Sequence, residues 1–130
     1  MKLLVVEDEP LLLEVIGKKL KNKKIQAFLA DSAQKAFEFL SKETVLPDAI
    51  WLDYYLKGTN GLEFVTELKN NKKWANIPII VVSNSASTEK VSNMLTLGVN
   101  KYLLKANFRI EDIVNEISNL IKKDDQNTCR

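Results

Sequence analysis

Glu7 and Asp8 follow the apolar run Leu3-Leu4-Val5-Val6, Asp53 follows Ala49-Ile50-Trp51-Leu52, Ser83 follows Ile79-Ile80-Val81-Val82, and Lys105 follows Lys101-Tyr102-Leu103-Leu104. Short apolar runs that stop at a polar residue read as buried parallel strands, each delivering a side chain to one edge of a sheet. Three carboxylates gathered at such an edge repel one another unless protons or a cation offset their charge. A hard divalent cation fits: Mg²⁺ takes oxygen ligands, typically one or two carboxylates with waters and a phosphate oxygen. With the charge offset, an Asp carboxylate can attack a phosphoryl group and hold it as an acyl phosphate, and Asp53 is placed for that. Such transfer asks the protein for positioning and for positive charge around the equatorial oxygens, which Mg²⁺, the Lys105 ammonium and a Ser83 hydrogen bond can supply. Taken singly, each residue has a bland role. Acids are favoured in any first helical turn, and a lone Asp, Ser or Lys at a strand end is an ordinary turn or surface residue. Their joint placement is what singles them out.

The elements that must position them alternate in period five times. Pro10 to Leu20 reads as a first helix with Leu13, Ile16 and Leu20 on one face and Lys18, Lys19 and Lys21 near its negative end. Ile25 to Leu29 is a weaker strand, preceded by Lys23 and Lys24, which suits a sheet edge. Asp31 or Ser32 caps a second helix carrying Ala33, Ala36, Phe37 and Leu40, and Pro47 opens a third strand to Leu52. Asn60 with Glu63 resembles a capping box for a third helix holding Leu62, Val65 and Leu68. Pro78 opens the fourth strand. Ser87 or Thr88 starts a fourth helix, expected to turn Val91 and Leu95 inward and to stop at Gly98 in a left-handed cap. A fifth strand ends at Leu104, and Ile110, Ile113, Val114, Ile117, Leu120 and Ile121 form the clearest helical stripe. The expected folded unit is residues 1–122, with a polar C-terminal tail over 123–130. Strict alternation implies right-handed crossovers and a doubly wound α/β fold, a five-stranded parallel sheet covered by five helices. Ligands in such sheets bind beyond the carboxyl ends of the strands, where Glu7, Asp8, Asp53, Ser83 and Lys105 all fall.

Composition narrows the function classes. A chain of 130 residues with 45% apolar content makes one domain with a full core. A formal net charge of +2 argues against nucleic acid or a membrane surface as the main partner. The chain has no His, so imidazole catalysis is excluded, and a single cysteine, Cys129, which allows no intrachain disulfide. Its apolar runs fall short of the ~18 residues a membrane span needs, and no signal-peptide layout opens the sequence. The expected location is cytoplasmic.

The chain resembles a response-regulator receiver domain of two-component signalling, in the single-domain, chemotaxis-receiver-like form. The matching segments are Leu4 to Pro10, Pro47 to Asp53, Gly58 to Gly61, Ile77 to Ser83, and Gly98 to Lys105. The resemblance implies a flavodoxin-like sheet of order 2-1-3-4-5. It implies a Mg²⁺ site made by Glu7, Asp8, Asp53 and the Tyr55 backbone carbonyl, with Asp53 as the phosphoacceptor. Ser83 then matches the hydroxyl residue that turns toward the phosphoryl group, Lys105 the ion-pairing lysine, and Tyr102 the aromatic switch. The implied donor is a histidine kinase or phosphotransfer protein in a phosphorelay. The implied output is a downstream protein bound through the face of helix 4, strand 5 and helix 5, without direct nucleic-acid or membrane contact. Such a protein is a stoichiometric phosphoacceptor that assists its own phosphorylation and dephosphorylation, and is not an enzyme.

Departures from the pattern carry their own expectations. The family usually has Lys-Pro with a cis bond where this chain has Lys105-Ala106. A cis bond before a non-proline costs about 2.5–4 kcal/mol, so trans is expected. Asn84 stands where the family most often has a small Ala or Gly, and Tyr55 is bulky beside Asp53; both are expected to shade an acyl phosphate from water. Lys57 stands where the family has Pro. Asn100-Lys101 replaces the acidic pair common in receivers fused to winged-helix domains. Other readings fit less well. A haloacid-dehalogenase-type phosphatase needs an Asp where Tyr55 stands, and a Rossmann nucleotide binder needs a glycine-rich turn where Glu7-Asp8-Glu9-Pro10 stands. The alternative with most weight is a constitutive, never phosphorylated receiver-fold interaction module.

Overall fold

The computed structural model describes residues 1–85 and 87–128, with side chains described through Lys122. Its strands follow from the apolar runs. β1 (Lys2–Val6), β3 (Ala49–Asp53) and β4 (Ile79–Ser83) are buried at almost every position, as strands covered on both faces must be. β2 (Gln26–Ala30) and β5 (Lys101–Leu104) are more exposed and form the edges. All pairs are parallel, in the order β2-β1-β3-β4-β5. The sequence expectation for the sheet is met.

The helices are α1 (Pro10–Asn22), α2 (Ala33–Lys42), α3 (Gly61–Lys69), α4 (Thr88–Thr96) and α5 (Ile110–Thr128). One face of the sheet packs Leu3, Val5, Trp51, Ile80 and Val82 against Leu13, Ile16 and Leu20 of α1 and Ile113, Val114 and Ile117 of α5. The other packs Leu4, Val6, Ile50, Leu52 and Val81 against α2, α3 and Met94 of α4. Both layers draw on the alternation of side chains along each strand.

Helix starts are set by side-chain caps. Ser32 Oγ accepts from Lys35 N–H, Asn60 Oδ1 from Glu63 N–H and Ser87 Oγ from Lys90 N–H, which settles Ser32 over Asp31 and Ser87 over Thr88. The capping box at Asn60 is half realised: the Glu63 carboxylate accepts from the Thr59 hydroxyl at 2.6 Å. In α3, Phe64 is buried together with Val65 and Leu68, whereas Leu62 is only partly covered.

Two sequence expectations need correction here. Leu95 is 48% exposed and Met94 is the buried residue of α4. The reason lies at Gly61, where an added Cβ would sit 3.3 Å from Met94 Cε. The bare glycine admits the Met94 side chain, so the helix rolls onto the spacing Val91, Met94, Leu97 instead of Val91, Leu95. The helix still stops at Gly98, with φ of +99°. At the C-terminus, α5 continues to Thr128, through most of the segment read as a polar tail. Cys129 lies outside the described residues. Lys105–Ala106 is trans, as expected.

Candidate functional site

Strand register brings the chemistry-bearing residues level. Val6 pairs with Leu52, so Glu7 and Asp53 stand side by side just past the pairing. Asp53 pairs with Val82, and Ser83 with Leu104, which sets Ser83 and Lys105 along the same edge. The Glu7 N–H donates to Ala30 O at 3.0 Å, pinning the first acid as the chain leaves β1. Asp8 then follows at the turn into α1, where Pro10 occupies the first helical turn.

One carboxylate oxygen each from Glu7, Asp8 and Asp53 lie within 4.8 Å of one another. Lys105 Nζ is 2.8 Å from Glu7 Oε1 and 3.5 Å from Asp53 Oδ2. Glu7 is 2% exposed, Asp53 8% and Ser83 fully buried. Burial raises the Asp53 carboxyl, the facing Glu7 raises it further, and Lys105 offsets only part, leaving it at about 7. For Glu7, burial also pushes upward, but hydrogen bonding with Asp53 and Lys105 and the Lys105 charge outweigh it, so its carboxyl lies below the ordinary range. Burial pulls the Lys105 ammonium down, while the bond from Glu7 and both carboxylate charges hold it above its usual value. The pair Glu7–Asp53 thus shares one proton, and Glu7 keeps the charge.

That proton marks a shortage of positive charge. Three hard oxygen donors facing one ammonium suit a divalent cation such as Mg²⁺, which would release the proton from Asp53. The donor set therefore fits the ion. Tyr55, whose carbonyl was expected to help, lies two residues past Asp53 in a short antiparallel ladder pairing Tyr55–Leu56 with Thr59–Asn60.

Two aromatic residues grip the chain just after β4. The Tyr102 hydroxyl donates to Ser85 O at 2.8 Å, and the Tyr55 hydroxyl is 3.4 Å from Ser85 Oγ. Lys90 on α4 hydrogen-bonds to the Tyr55 hydroxyl and sits 4.5 Å from the Tyr55 ring centroid and 5.1 Å from that of Tyr54. The Tyr54 ring in turn lies 6.4 Å from the Tyr102 ring. Sequence reasoning singled out Tyr55 and Tyr102 and missed Tyr54, Ser85 and Lys90. The adjacent pair Tyr54-Tyr55 directly after Asp53 was the available signal.

Residues 3–118 match the family model described as response regulator receiver domain. The chain belongs to that family. As a receiver it is 32% identical over 124 residues to the transcriptional regulatory protein MalR of Bacillus subtilis, a match covering 92% of this chain and 50% of MalR. It is 32% identical to a chemotaxis protein CheY homolog of Campylobacter jejuni, over 81% of each chain. Among solved structures it resembles the receiver domain of sensor histidine kinase PA1611 from Pseudomonas aeruginosa PAO1, at 25% identity and a TM-score of 0.80. That match covers 93% of this chain and 97% of the other, and the PA1611 structure holds a magnesium ion coordinated in its active-site cleft. The chain thus spans about half the length of MalR and most of the CheY homolog. Among the described residues no helix is long and apolar enough to cross a membrane.

Proposed function

We propose that this receiver accepts a phosphoryl group on Asp53 from the phosphohistidine of a histidine kinase or phosphotransfer protein, in a Mg²⁺-dependent reaction, and thereby switches a protein-binding surface. The observation that carries the reading is the gathering of Glu7, Asp8 and Asp53 within 4.8 Å, with Lys105 3.5 Å from Asp53. Glu7, Asp8, Asp53 and the Tyr55 carbonyl are the groups to hold the ion. Bound Mg²⁺ supplies positive charge to the phosphoryl oxygens.

The deprotonated Asp53 oxygen attacks phosphorus, the P–N bond breaks, and its electron pair returns to the donor imidazole nitrogen. Lys105 is poised to exchange part of its bond with Asp53 for a phosphoryl oxygen while keeping Glu7 paired. The Ser83 hydroxyl, buried at the end of β4, is placed to donate to a second oxygen. Moving Ser83 vacates space beside β5 for the Tyr102 ring, whose hydroxyl bond to Ser85 O responds to the move. That exchange is the proposed switch, read out on α4, β5 and α5. The protein is consumed one phosphoryl group at a time, so it acts as a stoichiometric acceptor and not as an enzyme. Its proposed location is the cytoplasm.

Intact-mass measurement after acetyl phosphate treatment tests the reading. One added phosphoryl group is expected with Mg²⁺ and none with EDTA or in Asp53→Asn. An adduct that survives Asp53→Asn overturns the assignment. No adduct under any condition, with partner binding retained, makes the protein the constitutive interaction module instead.

A further inference from the structure

The formal net charge of +2 averages over two unlike ends of the sheet. Where the strands end, Glu7, Asp8, Asp31, Asp53, Glu111 and Asp112 stand mixed with Lys35, Lys57, Lys90, Lys105 and Arg109. Where they begin, the last turns of α1 and α2 and the connections α1–β2, α2–β3 and α3–β4 carry between them Lys21, Lys23, Lys24, Lys42, Lys72 and Lys73, all exposed. The acids in these connections are Glu43 and Asp48, and Lys2 engages both. Its Nζ is 3.5 Å from Glu43 Oε2, and its backbone N–H donates to Asp48 Oδ2 at 2.8 Å. Lysines in a last helical turn offset the helix dipole, which accounts for Lys21 and Lys42. Lys23 caps α1 and Lys24 follows it, still at the negative helix end, whereas Lys72 and Lys73 lie beyond α3 and its cap Asn70, where the dipole does not call for them.

Aliphatic groups stand among these lysines. Val45 is 67% exposed and Met1 42%, and Lys2 Nζ donates to Val45 O at 3.0 Å, fixing Val45 beside the start of β1. No arginine lies at this end among the described residues, and Trp74 is stacked on Phe37 at 5.6 Å, so it is not free to receive a base. Nucleic-acid surfaces add arginine forks and open aromatic rings to their lysine–phosphate contacts. Lysines interspersed with exposed aliphatic side chains suit phospholipid headgroups, the ammonium groups meeting phosphates and the aliphatic tips entering the acyl boundary.

We propose that this face is a peripheral docking surface for an anionic phospholipid bilayer, with the Asp53 edge directed away from it. Each lysine brought to such a surface strengthens binding about fivefold. The test is co-sedimentation of the full chain with vesicles of phosphatidylcholine alone or mixed with phosphatidylglycerol. Binding is expected to the mixed vesicles only, to weaken as salt is raised, and to fall at least tenfold in Lys72→Glu/Lys73→Glu, two exposed sites whose fold is checked by circular dichroism. Val45→Ser is expected to weaken vesicle binding while leaving retention on heparin unchanged. Equal binding to neutral vesicles, no binding at low salt, or undiminished binding in either variant overturns the proposal. Tighter binding to duplex DNA than to vesicles at the same salt reassigns the face to nucleic acid.

Discussion

Lys105 reaches across 98 positions of sequence to donate to Glu7 Oε1 at 2.8 Å, tying the end of β5 to the end of β1 over the tops of β4 and β3. The bond pairs a carboxylate that is 2% exposed with an ammonium that still meets solvent. Removing the ammonium leaves a buried negative charge, the costly half of such a pair.

Lys105→Met is therefore expected to lower stability by about 2–4 kcal/mol near pH 7.5, measured by urea unfolding. The loss should shrink as pH falls through the carboxylate range and Glu7 takes up a proton. A loss that does not depend on pH would show that packing of the lysine stem, and not the charge pair, is what was removed.

The shared proton makes the metal-free protein pH-sensitive. Asp53 titrates at about 7 in the folded chain against an ordinary 3.8, so between these values the folded state holds a proton that the unfolded state has released. Stability accordingly falls as pH rises from about 4 to about 7. Glu7, held below its ordinary range, acts oppositely and costs stability only as pH drops below about 4.5. Without divalent cations the cluster favours folding most at mildly acidic pH. Asp53→Asn is expected to raise Tm at pH 8 by about 3–6 °C, on the order of 1 kcal/mol, and to have little effect near pH 5. Equal shifts at both pH values would contradict the shared proton.

Mg²⁺ should act through the same proton. Binding requires Asp53 to ionise, so affinity is expected to drop about tenfold for each pH unit below 7, with release of one proton in calorimetry. Above pH 8 the dependence should flatten. Proton release that persists in Asp53→Asn would place the titrating group elsewhere.

The sheet and the acid cluster were legible because each rests on a local pattern: apolar runs of four or five residues ending in a charge, read at a period that parallel strands enforce. Where the reading failed, the deciding contact was remote. Leu95 has the spacing of a buried residue, but Gly61, thirty-four positions earlier, gives its place to Met94. Lys90 looks like any helix-face lysine until folding sets it against Tyr54 and Tyr55. Net charge is silent in another way, since a sum cannot report that the exposed lysines of the α1–β2 and α3–β4 connections gather at one end of the sheet.

Tyr55 is expected to control how long the acyl phosphate lasts. Its ring is half exposed, steadied by Lys90 and Ser85, and borne two residues from Asp53. Tyr55→Ala should shorten the phosphoryl half-life several-fold by admitting water, and Lys90→Met should do so more weakly, because a cation–π contact at a partly exposed site contributes about 0.5–1 kcal/mol. Unchanged half-lives in both variants, followed by loss of the added mass, would remove any shielding role.

The Tyr102 hydroxyl bond to Ser85 O holds the half-buried ring against the core beside Tyr54. A neutral hydrogen bond of this kind contributes about 0.5–1.5 kcal/mol, which corresponds to a two- to tenfold bias between ring positions. Tyr102→Phe keeps the ring and deletes the bond. It is therefore expected to lower the population of the ring position seen here, and to change the affinity gap between unphosphorylated and phosphorylated forms for a partner that distinguishes ring positions. Tyr102→Ala, lacking the ring, should narrow the gap by removing the group that distinguishes the two forms, while phosphorylation of Asp53 proceeds. Amide chemical shifts in the unphosphorylated Tyr102→Phe protein should change along α4 and β5, beyond the residues touching position 102. Shifts confined to residues touching position 102, with the affinity gap intact in both variants, would show that the ring follows the switch without helping to set it.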